Sequence, residues 1–164
     1  MLEAYRARRN FAVTPEPTGE EGGTGEGRFV VQKHDATHLH YDFRLEMDGV
    51  LRSWAVPKGP PRIPGLRRLA VQVEDHPVDY IDFEGIIPEG QYGAGTVRIW
   101  DRGTYTLEKS RPDELKFMLH GGKLHGHYAL VQMGNRPQDW LLIKLKESGV
   151  QTLDKGNSSR RLSE

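Results

Sequence analysis

The chain has 164 residues, with 23 Lys plus Arg against 23 Asp plus Glu. That is the length of one domain without a global positive field to draw it to nucleic acid, so an anionic partner must be met by a local patch. It has no cysteine, which excludes disulfides, thiolate zinc sites and thiol nucleophiles and leaves His, Asp and Glu to ligate any metal. No apolar run approaches the ~20 residues of a membrane span, and Met1-Leu2-Glu3-Ala4-Tyr5-Arg6 has no signal-peptide core, so the expectation is a soluble, cytoplasmic monomer.

In chain order, Leu2 to Arg9 can form one or two helical turns, marginal unless they dock. Thr14-Pro15-Glu16-Pro17 breaks regular structure, and Thr18 to Gly27, with five glycines and three glutamates, reads as a flexible loop. Residues 1–27 are therefore expected to be an N-terminal arm. Arg28 to Gln32 begins the first strand, and His38 to Met47 alternates polar and apolar residues throughout, the period of a second. Asp48-Gly49 is a two-residue hairpin signal, with Val50 to Val56 as the returning strand. Pro57 to Arg68 contains four prolines and reads as a stiff basic loop. Leu69 to Glu74 is a further strand, Asp75 to Tyr80 a loop, and Gly90 to Gly95 a tight turn that lacks the context of a phosphate-binding loop. Thr96 to Asp101 and Thr104 to Lys109 are expected to pair as a hairpin about Arg102-Gly103. Leu115 to Leu119, Leu124 to Met133 and Trp140 to Leu145 follow as strands, with Asp113-Glu114 an alternative helix start. Many short strands and little helix predict an all-β fold, an antiparallel barrel with a concave active-site face over 28–148, and 149–164 as a flexible tail.

The second strand carries the chemistry. Alternation puts His38, His40, Asp42, Arg44 and Glu46 on one face and Leu39, Tyr41, Phe43, Leu45 and Met47 on the other. The apolar face is core. The other could be ordinary solvated surface, but imidazoles, a carboxylate and a guanidinium in succession set transition-metal ligands beside an oxyanion binder. His34, six residues before His40, is in phase if the backbone stays extended. Two imidazoles and a carboxylate leave open positions on a divalent ion, and Arg44 suggests a phosphate substrate, so the reading is metal-assisted phosphoester hydrolysis. His125 and His127, at same-face spacing, are a rival ligand set with His120 nearby, and with His40 and Asp42 they would make the facial triad of an iron(II) oxygenase. A non-catalytic nucleic-acid-binding barrel, stacking bases on Tyr41, Trp54 or Tyr92, is the other alternative.

His34, the run Leu39 to Glu46, Ser53 to Pro60, Glu74-Asp75-His76-Pro77 through Tyr80, and Pro88 to Gly95 together resemble the 3′-phosphoesterase family, found as a domain of bacterial ligase D and as stand-alone proteins. The resemblance runs from about Tyr5 to Leu145. It implies a β-barrel enzyme, typically manganese-dependent, with cobalt or zinc as other divalent ions. Such an enzyme removes a 3′-terminal ribonucleoside from a DNA or RNA primer strand in a duplex to leave a 3′-phosphate, then hydrolyses that to a 3′-hydroxyl. The ends are thereby prepared for ligation in repair by non-homologous end joining, with a DNA ligase or other end-joining protein as the partner in trans. The resemblance implies that His34, His40 and Asp42 bind the metal and that Arg44, His76 and Tyr80 hold the phosphate, with His38 a bystander. Lys58 and Arg68 are further phosphate contacts by the same resemblance, and Arg9, Glu16, Gln32 and Glu74 are supporting residues. Asn10 departs from the family pattern, which has Asp there, and this weakens the expectation of ribonucleoside removal more than that of phosphate removal.

Overall fold

The computed structural model describes residues 2–19 and 27–147. The expected tail, 149–164, and most of the Gly/Glu-rich loop lie outside these. The elements are α1 (Glu3–Ala7), β1 (Arg28–Asp35), β2 (His40–Met47), β3 (Val50–Val56), β4 (Arg67–His76), a 3₁₀ turn (Val78–Asp82), β5 (Gly85–Ile87), β6 (Gly95–Arg111), β7 (Glu114–Gly121), β8 (His125–Gln132) and β9 (Asp139–Lys144). The strands run β1-β2-β3-β4-β9-β8-β7-β6, and β6 returns to pair with β1, closing an eight-stranded antiparallel barrel. Among the described residues, no helix is long and apolar enough to cross a membrane.

The barrel interior is a single apolar cluster to which the strands contribute alternate residues: Phe29 and Val31, Phe43 and Leu45, Trp54 and Val56, Ala70, Leu115 and Phe117, Tyr128 and Leu130, Trp140 and Leu142, with Trp100 and Tyr105 of β6 packed against it. Strand periodicity therefore turns Val30, Gln32, His34, His40, Asp42, Arg44, Leu51 and Ser53 outward. That outer face is not left to solvent. A second cluster, built from Tyr5 of α1, Tyr80 and Ile81 of the 3₁₀ turn, Phe83 and Ile87, packs on Val30, Leu51 and Val97. The short helix survives because it docks, with Tyr5 fully buried. The polar face of β1 and β2 thus lies between the outside of the barrel and this overlying layer, not in the barrel lumen.

Several boundaries differ from expectation. The first strand runs on to Asp35, so the chain turns between Asp35 and His40, and His34 meets His40 across the β1–β2 pair instead of along one strand. β2 begins at His40, and His38 lies exposed before it. The expected hairpin at Arg102-Gly103 is absent: β6 is one 17-residue strand and the turn comes after Arg111. Gly103 is there for close approach, since a Cβ would sit 2.1 Å from the His120 carbonyl oxygen. Asp113-Glu114 belongs to that turn and the start of β7, not to a helix. Asp75 and His76 end β4 instead of opening a loop, and β5, too short to signal itself, pairs with the start of β6.

Candidate metal and phosphate centre

The centre begins with cross-strand register. On the outer face of β1 and β2, His34 lies opposite His40 and Gln32 opposite Asp42; on β2 and β3, Arg44 lies opposite Ser53. Residues two apart on neighbouring strands are within side-chain reach, and His34, His40 and Asp42 bring one ligand atom each to within 4.8 Å of one another. His34 Nδ1 is 3.5 Å and His40 Nε2 is 3.4 Å from the same Asp42 oxygen, Oδ2. Two donors held ~2.1 Å from one ion stand roughly 3–3.5 Å apart, so this spacing fits. The second nitrogens are also engaged. His34 Nε2 lies 2.7 Å from the Gly93 carbonyl and His40 Nδ1 lies 2.9 Å from the His38 carbonyl. A carbonyl can only accept, so each outer nitrogen carries a proton, and a ring that gives up the proton it shares with Asp42 turns a lone pair toward the same point. Burial pushes the Asp42 carboxyl up, but the Arg44 guanidinium and hydrogen bonds from His34 and His40 outweigh it and hold it well below the usual carboxylate range. The hydrogen bond to Asp42 raises His40 against the opposing effect of burial. A preformed anion with two aimed imidazoles is a donor set for a first-row divalent cation.

Arg44 is locked beside it. Nε donates to Gln32 Oε1 at 2.7 Å, Nη1 donates to Ser53 Oγ at 2.8 Å, and Nη2 lies 3.5 Å from Asp42 Oδ2. Ser53 sends its own proton to the Leu51 carbonyl, so its lone pair is the part offered to Arg44. Gln32 donates in turn to the Tyr80 and Phe83 carbonyls, tying the guanidinium to the overlying layer. The Tyr80 ring lies 4.9 Å from the Arg44 guanidinium carbon. His76 packs edge-on against Tyr80 at 4.7 Å and Tyr5 at 5.0 Å. Its Nδ1 donates to the Glu74 carbonyl, leaving the Nε2 lone pair 3.4 Å from Arg9 Nη2. Burial, then Arg44 and Arg9, push His76 well below its ordinary value, so it is neutral at pH 7.

The arm forms the far wall. Arg9 donates from Nε to Glu16 at 3.0 Å and pairs through Nη1 with Glu74 at 3.3 Å. Glu16 also accepts the Tyr80 hydroxyl at 2.7 Å and the Thr14 hydroxyl at 2.8 Å. Burial drives the Tyr80 phenol well above its usual value, so it keeps its proton. Arg8 bridges Glu74 and the Tyr92 hydroxyl, both at 2.9 Å. Asn10 is exposed, and its side-chain oxygen accepts the Ala12 N–H at 3.1 Å. An aspartate would offer the same acceptor, so the departure at Asn10 leaves the turn intact and alters only charge.

Of the residues singled out in the sequence, His34, His40, Asp42, Arg44, His76, Tyr80, Gln32, Arg9, Glu16 and Glu74 thus form one connected centre. Lys58 and Arg68 stand elsewhere. They line a cleft with Tyr41 and Trp100, and Arg68 is bonded to the Lys58 and Gly59 carbonyls. Among the described residues, the one metal-competent group takes its third ligand from His34, not from β8. His127 faces Glu108 at 3.0 Å, and His120 contacts Thr106, so the distant ligand set of the oxygenase alternative is not assembled. Sequence reasoning gave no role to Ser53, Tyr5 or the Gly93 carbonyl. The pairing of Arg44 with Ser53 across a predicted hairpin was a usable signal for the first; a backbone carbonyl carries none.

Residues 32–132 match the family model described as the DNA ligase D 3′-phosphoesterase domain. The chain is 50% identical over 167 aligned residues, 94% of its length, to the multifunctional non-homologous end joining protein LigD of Pseudomonas aeruginosa. It is 50% identical over 152 residues, 88% of its length, to the multifunctional non-homologous end joining DNA repair protein LigD of Mycobacterium tuberculosis. It is 46% identical over 159 residues, 89% of its length, to the corresponding LigD of Mycolicibacterium smegmatis. The chain spans about one fifth of the length of these relatives, 20% or 21% of each. Found on a chain that folds as a closed barrel, these matches place it in the 3′-phosphoesterase domain family of DNA ligase D.

Proposed function

We propose that this chain is a metal-dependent 3′-end-healing phosphoesterase. It removes a 3′-terminal ribonucleoside from a DNA or RNA primer strand and then hydrolyses the resulting 3′-phosphate to a 3′-hydroxyl, ahead of ligation in end joining. The observation that carries the reading is the pair of imidazoles whose outer nitrogens are tied to carbonyls, so that both inner nitrogens converge on Asp42 beside a locked arginine. The end-joining context rests on the names of the relatives, and a ligase is the proposed partner in trans.

His34, His40 and Asp42 would hold the ion, for which we propose manganese before cobalt or zinc. When bound it supplies positive charge to a phosphoryl group and lowers the pKa of water. The remaining steps belong to side chains. Arg44, fixed by Gln32, Ser53 and the Tyr80 ring, presents a preorganised charge to non-bridging oxygens. A phosphate seated between Arg44 and Arg9 cancels the two charges that help to depress His76. A proton taken up by the imidazole is held at Nε2, because Nδ1 is engaged by the Glu74 carbonyl. When the P–O bond to the leaving oxygen breaks and water supplies the new oxygen, that proton passes to the departing alkoxide. Arg9, Glu16 and Glu74, the arm side of the centre, are assigned in this reading to the first step more than to the second.

The test is conversion of an end-labelled duplex primer carrying either one 3′ ribonucleotide or a 3′-phosphate, with Mn²⁺ or EDTA, by wild type and Asp42→Ala. Metal-dependent conversion of both ends, lost in the variant, supports the reading. Phosphate removal alone, with ribonucleoside removal restored by Asn10→Asp, locates the difference in that one charge. No conversion of either end in any divalent ion overturns it.

A further inference from the structure

A cleft of about 250 Å³, lined by Tyr41, Lys58, Gly59, Arg62, Arg68 and Trp100 among others, opens beside the proline-rich loop at the barrel's mouth. Three of its lining residues are cations and none is a carboxylate. Its aromatic walls are held in place. Tyr41 and Trp100 meet nearly edge-on, with centroids 5.6 Å apart, and Gly59 lies so close to the Tyr41 ring that a Cβ would come within 3.3 Å. Arg62 lies 5.9 Å from the Trp100 ring. Arg68 spends Nη1 on two carbonyls, and none of the described hydrogen bonds uses its Nε or Nη2. Tyr41 stands between His40 and Asp42 in the chain, so alternation sets this cleft on the inner lip of the same rim whose outer lip carries the triad.

We propose that this cleft is a nucleotide subsite separate from the triad: an unpaired nucleotide of the substrate seats its base against Trp100 and Tyr41 and its phosphate among Lys58, Arg62 and Arg68. The inference rests on the reading that the substrate is a nucleic-acid end. Aromatic faces beside clustered cations are the chemistry by which single strands are bound, because every base has a face to stack and every linkage a charge. Drug-sized ligand pockets run from ~300 Å³ upward, so a cleft below that size holds no more than one nucleotide and excludes a duplex. Preformed walls lower the ordering cost of binding.

The test measures anisotropy of fluorescein-labelled nucleic acids in EDTA, which stops turnover. The probes are a blunt duplex, a duplex whose labelled 3′ end is recessed beneath an overhang of the complementary strand, and a single strand. Wild type is compared with Trp100→Ala, Arg62→Gln and Trp100→Phe, each checked for an unchanged melting transition. The expected result is about a tenfold loss of affinity in Trp100→Ala and a smaller one in Arg62→Gln, confined to probes with unpaired nucleotides, with Trp100→Phe near wild type. Loss on the recessed duplex assigns the nucleotide to the complementary strand; loss on the single strand alone assigns it to the reacting strand. Equal losses on all three probes, or none, overturn the subsite. If the variants still convert a blunt 3′-phosphate while overhang affinity is unmoved, only the subsite fails. If wild type neither binds nor converts any end, the functional reading fails with it.

Discussion

At the scale of single residues, the centre depends on groups whose charge is set by neighbours. His76 has its folded pKa pushed down, so between that value and the ~6.5 of an unfolded chain only the unfolded state holds the extra proton, and stability rises with pH across the window. Lowering pH from 7.5 to 5.5 is therefore expected to cost wild type about 1.4 kcal/mol more than His76→Gln. Urea midpoints of the metal-free proteins at the two pH values check this; equal slopes would refute it. His40, raised in the folded state, slopes the opposite way but is common to both proteins. Arg44 makes two hydrogen bonds to neutral partners, packs on Tyr80 and stands beside Asp42. A lysine there keeps charge but loses the fork that fixes it. Arg44→Lys is expected to lower kcat/KM on a 3′-phosphate end by about 100- to 1,000-fold, roughly the loss of one preorganised transition-state donor, with the fold retained by circular dichroism.

At the scale of elements, the arm is part of the folded domain. Five helical residues cannot hold themselves. They are held by Tyr5, fully buried against His76, Tyr80 and the Arg9 guanidinium, with its hydroxyl donating to the Pro17 carbonyl. Tyr5→Phe should cost about 1 kcal/mol for one hydrogen bond, and Tyr5→Ala about 3–5 kcal/mol for a buried ring, both read from urea unfolding. Because the same ring supports Arg9 and His76, Tyr5→Ala should also reduce activity. A stable Tyr5→Ala protein with full activity would show that the arm merely covers the barrel.

At the scale of the whole molecule, the ion is expected to couple to stability. Ligands from two strands, His34 of β1 and His40 and Asp42 of β2, are brought together only by folding. An ion at 100 times its dissociation constant would stabilise the folded state by about 2.7 kcal/mol. The melting temperature should therefore rise with added Mn²⁺, return to its starting value with EDTA, and be indifferent to both in Asp42→Ala. A rise that persists in that variant would place the ion elsewhere.

Alternation along His38 to Met47, the Asp48-Gly49 turn and the proline breaks made most of the strands, the barrel class and the shared face of His40, Asp42 and Arg44 legible from sequence, because these are local properties of a pleated chain. The run of motifs from His34 to Gly95 named the family for the same reason: it lies in order along the chain. What only the tertiary structure decided is long-range. His34 reaches His40 across a strand pair and not along a strand, because the chain turns after Asp35. Gly103 accommodates close approach to β7 within β6 and does not end the strand. The polar face lies under a layer made by α1 and the 3₁₀ turn, segments without strong patterns of their own. Lys58 and Arg68 line a separate cleft, because the stiff loop that bears Lys58 and leads to Arg68 ends at the barrel's mouth. Register, and which face another segment covers, are settled by packing between residues distant in sequence, and no local pattern encodes them.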